Sequence, residues 1–254
     1  MNEVHPELRR ELRSSLGLSE PEFTSVHWSL GTWRLSVGRQ AVTEPEVTRI
    51  YDRSSAYWSQ LIGLLGYQRA YRKLLAQLRD QGILDARSTG AVLDCGAGTG
   101  ALGSAFVDVF GRGADVYAAD LSSRMLLHAR RRMEGQDHRL YAVAADALQL
   151  PFASQRFDLV MAGHMLEHTS KPRTTIEELS RMLKPGGKLL LVITRAGVVD
   201  SLLRMFWRYR LLHPNTVRRW LWDADLRLEL MVPLTGGRFQ VSRQLSLAVV
   251  ATKV

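Results

Sequence analysis

Ala91-Val92-Leu93-Asp94-Cys95-Gly96-Ala97-Gly98-Thr99-Gly100 reads as the end of a buried strand running into a tight glycine turn. Five residues, mostly apolar, come first. Three glycines at alternate positions then let the backbone bend sharply and approach a ligand where a Cβ would clash. The next ten residues, ALGSAFVDVF, suit the helix that such a turn opens. Strand, glycine turn and helix in this order place a ligand-binding loop at the carboxyl end of a strand.

Working outward from that stretch, the same rhythm repeats. Residues 115–119 (DVYAA), 140–144 (LYAVA), 157–162 (FDLVMA) and 188–194 (KLLLVIT) are short apolar runs. Such runs mark strands covered on both faces of a parallel sheet. Helical stretches at 101–110, 123–134 and 174–183 lie between them, and strand–helix alternation gives a doubly wound sheet. Residues 228–233 and 245–253 are strands joined through Gly236 and Gly237 with no helix between, so they pair as an antiparallel hairpin. The fold class is therefore α/β: a Rossmann-like doubly wound sheet, mostly parallel, finished by a C-terminal antiparallel hairpin. Residues 1–45 form an N-terminal helical extension, from the spacing of Leu8, Leu12 and Leu16. Residues 46–254 form the main domain, with further helix expected from residue 46 to 79.

The glycine spacing is tighter than the dinucleotide pattern of three glycines over six residues, leaving less loop to wrap a pyrophosphate. Asp94 just before it would repel a phosphate and favour the ammonium and sulfonium of S-adenosylmethionine. Asp120, at the end of the next run in Ala119-Asp120-Leu121-Ser122, is placed to accept from ribose hydroxyls. The plainer alternative is that it caps the following helix. Asp146, followed by Leu150-Pro151-Phe152, is placed to accept from an adenine amino group between apolar neighbours.

These residues, with Arg156-Phe157-Asp158-Leu159-Val160, Leu166-Glu167-His168 and Leu183-Lys184-Pro185-Gly186-Gly187-Lys188-Leu189, resemble the class I S-adenosylmethionine-dependent methyltransferases. Within them they are similar to the small-molecule group called methyltransferase type 11, over about residues 90–195. The resemblance implies that Asp94, Gly96, Ala97, Gly98 and Gly100 line the methionine moiety of the cofactor. By the same likeness, Asp120 and Leu121 hold the ribose, Asp146 and Ala147 meet the adenine, and Gly163, His164 and Met165 face the reactive methyl. Tyr51 and Tyr57 are similar to an aromatic pair ahead of the family core, although Trp58-Ser59 stands where an acidic residue is common. In the family, insertions such as residues 198–226 form a helical substrate lid, which puts Phe206 and Trp207 at the acceptor. The core is also similar to ring C-methyltransferases of quinone biosynthesis, but lacks their characteristic segment after the fifth strand.

If the acceptor is protonated, a base is needed; His164 is the first candidate and His168 the second, with backbone hydrogen bonding at a helix start as the plainer role for His168. Ala162-Gly163-His164-Met165 lacks the Asn/Asp-Pro-Pro-aromatic segment that family members use to grip a planar amino group, so a nucleic-acid acceptor is not expected. The net charge of +9 favours anionic partners. Arg204, Arg208 and the aromatics among them leave two readings for the lid: a core-packed helix, or a basic amphipathic helix in peripheral contact with a membrane. The acceptor is thus small or lipid-like and largely apolar or partly anionic, with a lipid N-methyltransferase and a catalytically silent cofactor-binding subunit as alternatives. A single cysteine, Cys95, permits no internal disulfide and no thiolate metal cluster, and a charged N-terminus lacks a secretory pattern. The expected location is the cytoplasm.

Overall fold

A computed structural model describes residues 24–30, 33–39, 66–85, 90–111, 113–135, 138–194, 212–236 and 246–254. The chain divides into two units, Met1–Val47 and Thr48–Val254.

In the first unit the described residues form an antiparallel ladder of β1 (Thr24–Leu30) and β2 (Trp33–Arg39). This corrects the expectation of a helical extension at residues 24–30 and 33–39. Val26 lies opposite Val37, Trp28 opposite Leu35, and Leu30 opposite Trp33. Apolar residues at every second position on both sides of Gly31-Thr32 are a strand period. The helix expected around Leu8, Leu12 and Leu16 lies outside the described residues.

In the second unit, helix α1 (Tyr67–Asp80) precedes the alternating core. Then come β3 (Ala91–Cys95), α2 (Ala101–Phe110), β4 (Asp115–Asp120), α3 (Ser123–Met133) and β5 (Arg139–Ala144). These are followed by β6 (Phe157–Gly163), α4 (Pro172–Met182) and β7 (Leu183–Thr194). Helix α5 (Pro214–Asp223) leads to β8 (Leu226–Pro233) and β9 (Ser246–Lys253). The seven strands of the sheet run in the order β5-β4-β3-β6-β7-β9-β8. The pairs from β5 to β7 are parallel, and β9 is antiparallel to both β7 and β8.

Successive residues of the central strands serve opposite faces. Val92, Leu159, Met161, Leu190, Val192, Ala248 and Val250 pack with α1 and α2. Their neighbours Leu93, Val160, Ala162, Leu189, Leu191, Val249 and Ala251 pack with α4 and α5. This two-sided burial explains the unbroken apolar runs. The run at 140–144 is different. It belongs to β5, the outermost strand, where Arg139, Tyr141, Ala142 and Ala144 are exposed. Two of the five residues are alanines, which do not require burial, and Tyr141 is exposed as well, so the expectation of a strand covered on both faces is corrected here.

The chain leaves β3 toward β4 and β5 on one side, and returns to β6 and β7 on the other. The switch point lies between β3 and β6. A crevice outside the carboxyl ends of these two strands is where such sheets bind ligands.

Candidate active site

The glycine loop at the end of β3 is tied to β4: the amides of Gly96 and Ala97 both donate to the Ala119 carbonyl, at 2.8 and 3.0 Å. Gly96 and Gly98 have φ of 67° and 53°, in the left-handed region that disfavours a Cβ. Their surroundings differ. A Cβ on Gly96 would lie 2.2 Å from Met165 Cγ, whereas one on Gly98 would meet nothing within 4 Å. Gly96 therefore makes room for the segment after β6, and Gly98 faces open space at the switch point.

Asp120 stands at the tip of β4. Its Oδ2 accepts from the Gly98 amide at 2.8 Å and its Oδ1 from the Ser122 amide at 2.9 Å. The cap of α3 is Ser122, whose Oγ accepts from the Met125 amide. The helix-cap role for Asp120 is thus taken by its neighbour, and the Asp120 carboxylate spans the glycine loop and the turn after β4. Leu121 beside it is 42% exposed.

Asp94 is buried beneath the loop, where its Oδ2 accepts from the Gly103 amide in the first turn of α2 at 2.9 Å. Burial pushes its carboxyl up to about 7, the Gly103 amide pulls it down, and the charge of Asp120 raises it again. Asp146 follows β5; its Oδ1 accepts from the Leu148 amide, closing the turn that holds Ala147. The Ala145 amide donates to the Asp120 carbonyl, which draws the ends of β4 and β5 together. Glu178 and Arg181 of α4 clamp the Leu150-Pro151-Phe152 loop. Glu178 Oε1 accepts from the Leu150 amide at 2.7 Å, and Arg181 donates to the Leu150 and Phe152 carbonyls. No local signal marked these two residues.

At the end of β6, Gly163 lies against Tyr71: a Cβ there would come within 3.2 Å of the phenol oxygen. His164 has φ of 53° and donates its amide to the Val192 carbonyl at 2.7 Å. Such a conformation is costly for a residue with a side chain. Its ring is engaged on both sides. Nδ1 lies 3.4 Å from Glu167 Oε1 and 3.2 Å from Thr194 Oγ1, and Nε2 lies 3.3 Å from Ser246 Oγ. Ser246 Oγ is 3.0 Å from the Tyr67 hydroxyl, and the Tyr67 ring meets the His164 ring edge-on at 5.1 Å.

Glu167, within a single turn of 3-10 helix at Leu166–His168, accepts from both the amide and the hydroxyl of Thr194 at 2.6 Å. Its Oε2 is buried without a partner. Burial would raise its carboxyl, but the hydrogen bond and charge of His164, with His168 and Thr194, outweigh this and hold it at about 2. Burial lowers the His168 imidazole, against the charge of Glu167, which raises it. The His168 amide donates to the Met165 carbonyl.

The structure thus gathers Asp94, Gly96, Ala97, Gly98, Gly100, Asp120, Leu121, Asp146, Ala147, Gly163, His164, Met165 and His168 along the carboxyl edge of the sheet. Tyr51, Tyr57, Phe206 and Trp207 lie outside the described residues, as does residue 198–211 of the expected lid. Sequence reasoning missed Tyr67, Glu167, Thr194 and Ser246 as partners of His164. Only Glu167 lay in a motif that had drawn notice. The open face of Gly98 and the carboxylates of Asp120 and Asp146 fit a ligand with a polar ribose and an adenine. With the buried Asp94 behind them, they also fit a positively charged third moiety.

Residues 93–191 match the family model described as "Methyltransferase domain". The chain is 32% identical, over 65% of its length and 61% of the relative's, to a demethylmenaquinone methyltransferase of Paenarthrobacter aurescens (strain TC1). It is 39% identical, over 66% of its length and 60% of the relative's, to a malonyl-[acyl-carrier protein] O-methyltransferase of Enterobacter lignolyticus (strain SCF1). The chain therefore spans about three fifths of the length of these curated relatives. Among solved structures it is similar to magnesium protoporphyrin IX methyltransferase of Synechocystis PCC 6803 with bound S-adenosylmethionine. The TM-score is 0.64 at 19% identity, over 85% of this chain and all of that one. The glycine loop from Asp94 onward, Asp120 and Asp146 all lie within the residues that match the methyltransferase-domain model.

Proposed function

We propose that the protein transfers a methyl group from S-adenosylmethionine to a small, largely apolar or partly anionic acceptor by in-line displacement. The observation that carries this reading is the convergence at the β3–β6 switch point of an open glycine loop, the Asp120 carboxylate at its lip and the His164 segment opposite. When bound, the cofactor supplies an electrophilic methyl carbon on a cationic sulfur. The chain's own residues do the rest. The glycine loop and Asp94 receive the methionine portion, Asp120 and Leu121 the ribose, and Asp146 and Ala147 the adenine. Gly163, His164 and Met165 border the path from which the acceptor approaches. Positioning the two reactants supplies much of the rate in such a transfer.

The two relatives are named for different acceptors, a demethylmenaquinone and a malonyl-[acyl-carrier protein], and an acceptor of this breadth suits the same site. A lipid acceptor at a membrane surface has one observation behind it. Helix α5 exposes Arg218, Arg219 and Trp222, the last at 79%. Trp222 lies next to the start of β8, at the sheet edge opposite His164, so a surface bound there would not present its molecules to the site. The small-molecule reading is preferred for that reason. No described helix is long and apolar enough to cross a membrane.

Calorimetric titration with S-adenosylhomocysteine tests the proposal. Micromolar binding by the protein, weakened at least tenfold in Asp120→Ala, is expected. A folded protein that binds none would overturn it. A protein that binds it yet turns over no acceptor across a broad panel would instead favour a silent partner subunit.

A further inference from the structure

The proton inventory around His164 has a direction. The Thr194 hydroxyl has one proton, and donates it to Glu167 Oε1 at 2.6 Å. Glu167 Oε1 accepts from the Thr194 amide as well, also at 2.6 Å, and so has no proton of its own to give. His164 Nδ1 therefore faces only acceptors, the Thr194 oxygen and the carboxylate, and must itself carry a proton. In the neutral ring that leaves Nε2 as the acceptor. It lies 3.3 Å from Ser246 Oγ, which can receive in turn from the Tyr67 hydroxyl at 3.0 Å.

Two features distinguish this cluster from a satisfied core network. His164 stands in a left-handed conformation that a side-chain-bearing residue adopts at a cost. Glu167 keeps one carboxylate oxygen buried and unpaired, an arrangement that also costs free energy and is relieved when a positive charge forms beside it. Both sit at the switch point where the acceptor arrives.

We propose that Glu167 is a positioning residue that holds His164 with its proton on Nδ1, so that Nε2, with the Ser246 and Tyr67 hydroxyls before it, takes the proton of the acceptor. This rests on the methyl-transfer reading and narrows its substrate class to acceptors whose nucleophile is generated by loss of a proton, such as a phenol, an enol or a similarly acidic hydroxyl. The acceptor's proton enters the hydroxyl pair, and one proton passes on to Nε2. The nucleophile's freed electron pair forms the bond to the methyl carbon, and the electrons of the broken carbon–sulfur bond remain on sulfur. The imidazolium so formed faces the Glu167 carboxylate.

Nitrogen-15 NMR of the full chain with labelled histidine reads the tautomer directly, His164 being assigned by loss of its signals in His164→Asn. The expected result is a protonated Nδ1 and an unprotonated Nε2 in the neutral ring. Ser246→Ala keeps that tautomer, because Glu167 sets it. Glu167→Leu reverses it, because the Thr194 hydroxyl then has only Nδ1 to donate to. A wild-type ring protonated on Nε2 overturns the proposal, as does reversal in Ser246→Ala or no reversal in a folded Glu167→Leu. Should Glu167→Leu not fold, the wild type and Ser246→Ala decide. S-adenosylhomocysteine titration of the same samples separates the two levels: absence of binding by the wild type sinks the methyltransferase reading, while the wrong tautomer with intact binding sinks only the role of Glu167.

Discussion

Replacing Asp94 with asparagine should make this protein more stable at pH 8. The Asp94 side chain is fully enclosed, with its Oδ2 on the Gly103 amide. Burial is the largest influence on it, and lifts its carboxyl from 3.8 to about 7. A raised acid stays protonated in the fold while the unfolded chain ionises. Its contribution to stability is thus full below about 4, declines as the pH rises, and is lost above about 7. At about 1.4 kcal/mol per pH unit, the rise from 3.8 to about 7 makes the loss about 4 kcal/mol. That shift already contains the favourable Gly103 amide at the first turn of α2. Roughly 4 kcal/mol is therefore the cost of a charged Asp94 at pH 8. Asparagine keeps an oxygen for the Gly103 amide and carries no charge. Urea unfolding of both proteins at pH 5 and pH 8 measures the effect. Asp94→Asn should gain roughly 4 kcal/mol over the wild type at pH 8 and less than half that at pH 5. An Asp94→Asn protein less stable than the wild type at pH 8, or a difference independent of pH, would refute the reasoning.

The proposed cofactor site accounts for so costly a carboxylate. A cationic ligand above it lowers its affinity for a proton, so binding of S-adenosylmethionine near pH 6.5 should expel a proton from the wild type and none from Asp94→Asn. Calorimetry in two buffers of different ionisation enthalpy reads that proton. Equal proton release by both proteins would remove Asp94 from the cofactor's surroundings. Stability gained at the expense of ligand binding is the expected mark of a site residue.

Two further substitutions separate site from scaffold. Gly98→Ala meets no neighbouring atom, so it should cost only about 1–2 kcal/mol for its left-handed backbone, yet weaken S-adenosylhomocysteine at least tenfold by filling the open face of the loop; unchanged affinity in a titration would mean that this face is not the cofactor's. Asp158 accepts from the Ala91 amide at 2.9 Å and from Lys184 Nζ at 2.8 Å, pinning the start of β3 to β6 and β7. Asp158→Ala should cost about 1–3 kcal/mol in urea unfolding and leave the affinity for S-adenosylhomocysteine alone, and an affinity loss with stability intact would place Asp158 in the site.

What was legible in the sequence follows from how local each physical cause is. The glycine loop, with its left-handed residues, is a property of five consecutive positions, and it sits at the switch point that the strand–helix alternation implied. The central strands were legible because helices cover both of their faces, which leaves no polar period to obscure the apolar run. That same signal misplaced 140–144, since alanines beside a valine look alike whether a strand is central or at the edge. In residues 24–39 the strand period was present, but the helical spacing of three leucines upstream set the reading of the whole segment. The surroundings of His164 were not legible by any local rule. Tyr67 and Ser246 meet across 179 positions, and Ser246 reaches the carboxyl edge only because β9 runs antiparallel to β7. The hairpin that ends the sheet was expected as an element of topology. In the folded chain it also delivers the Ser246 hydroxyl to the His164 ring, so the strand that departs from the parallel pattern is the one that would complete the proposed proton path.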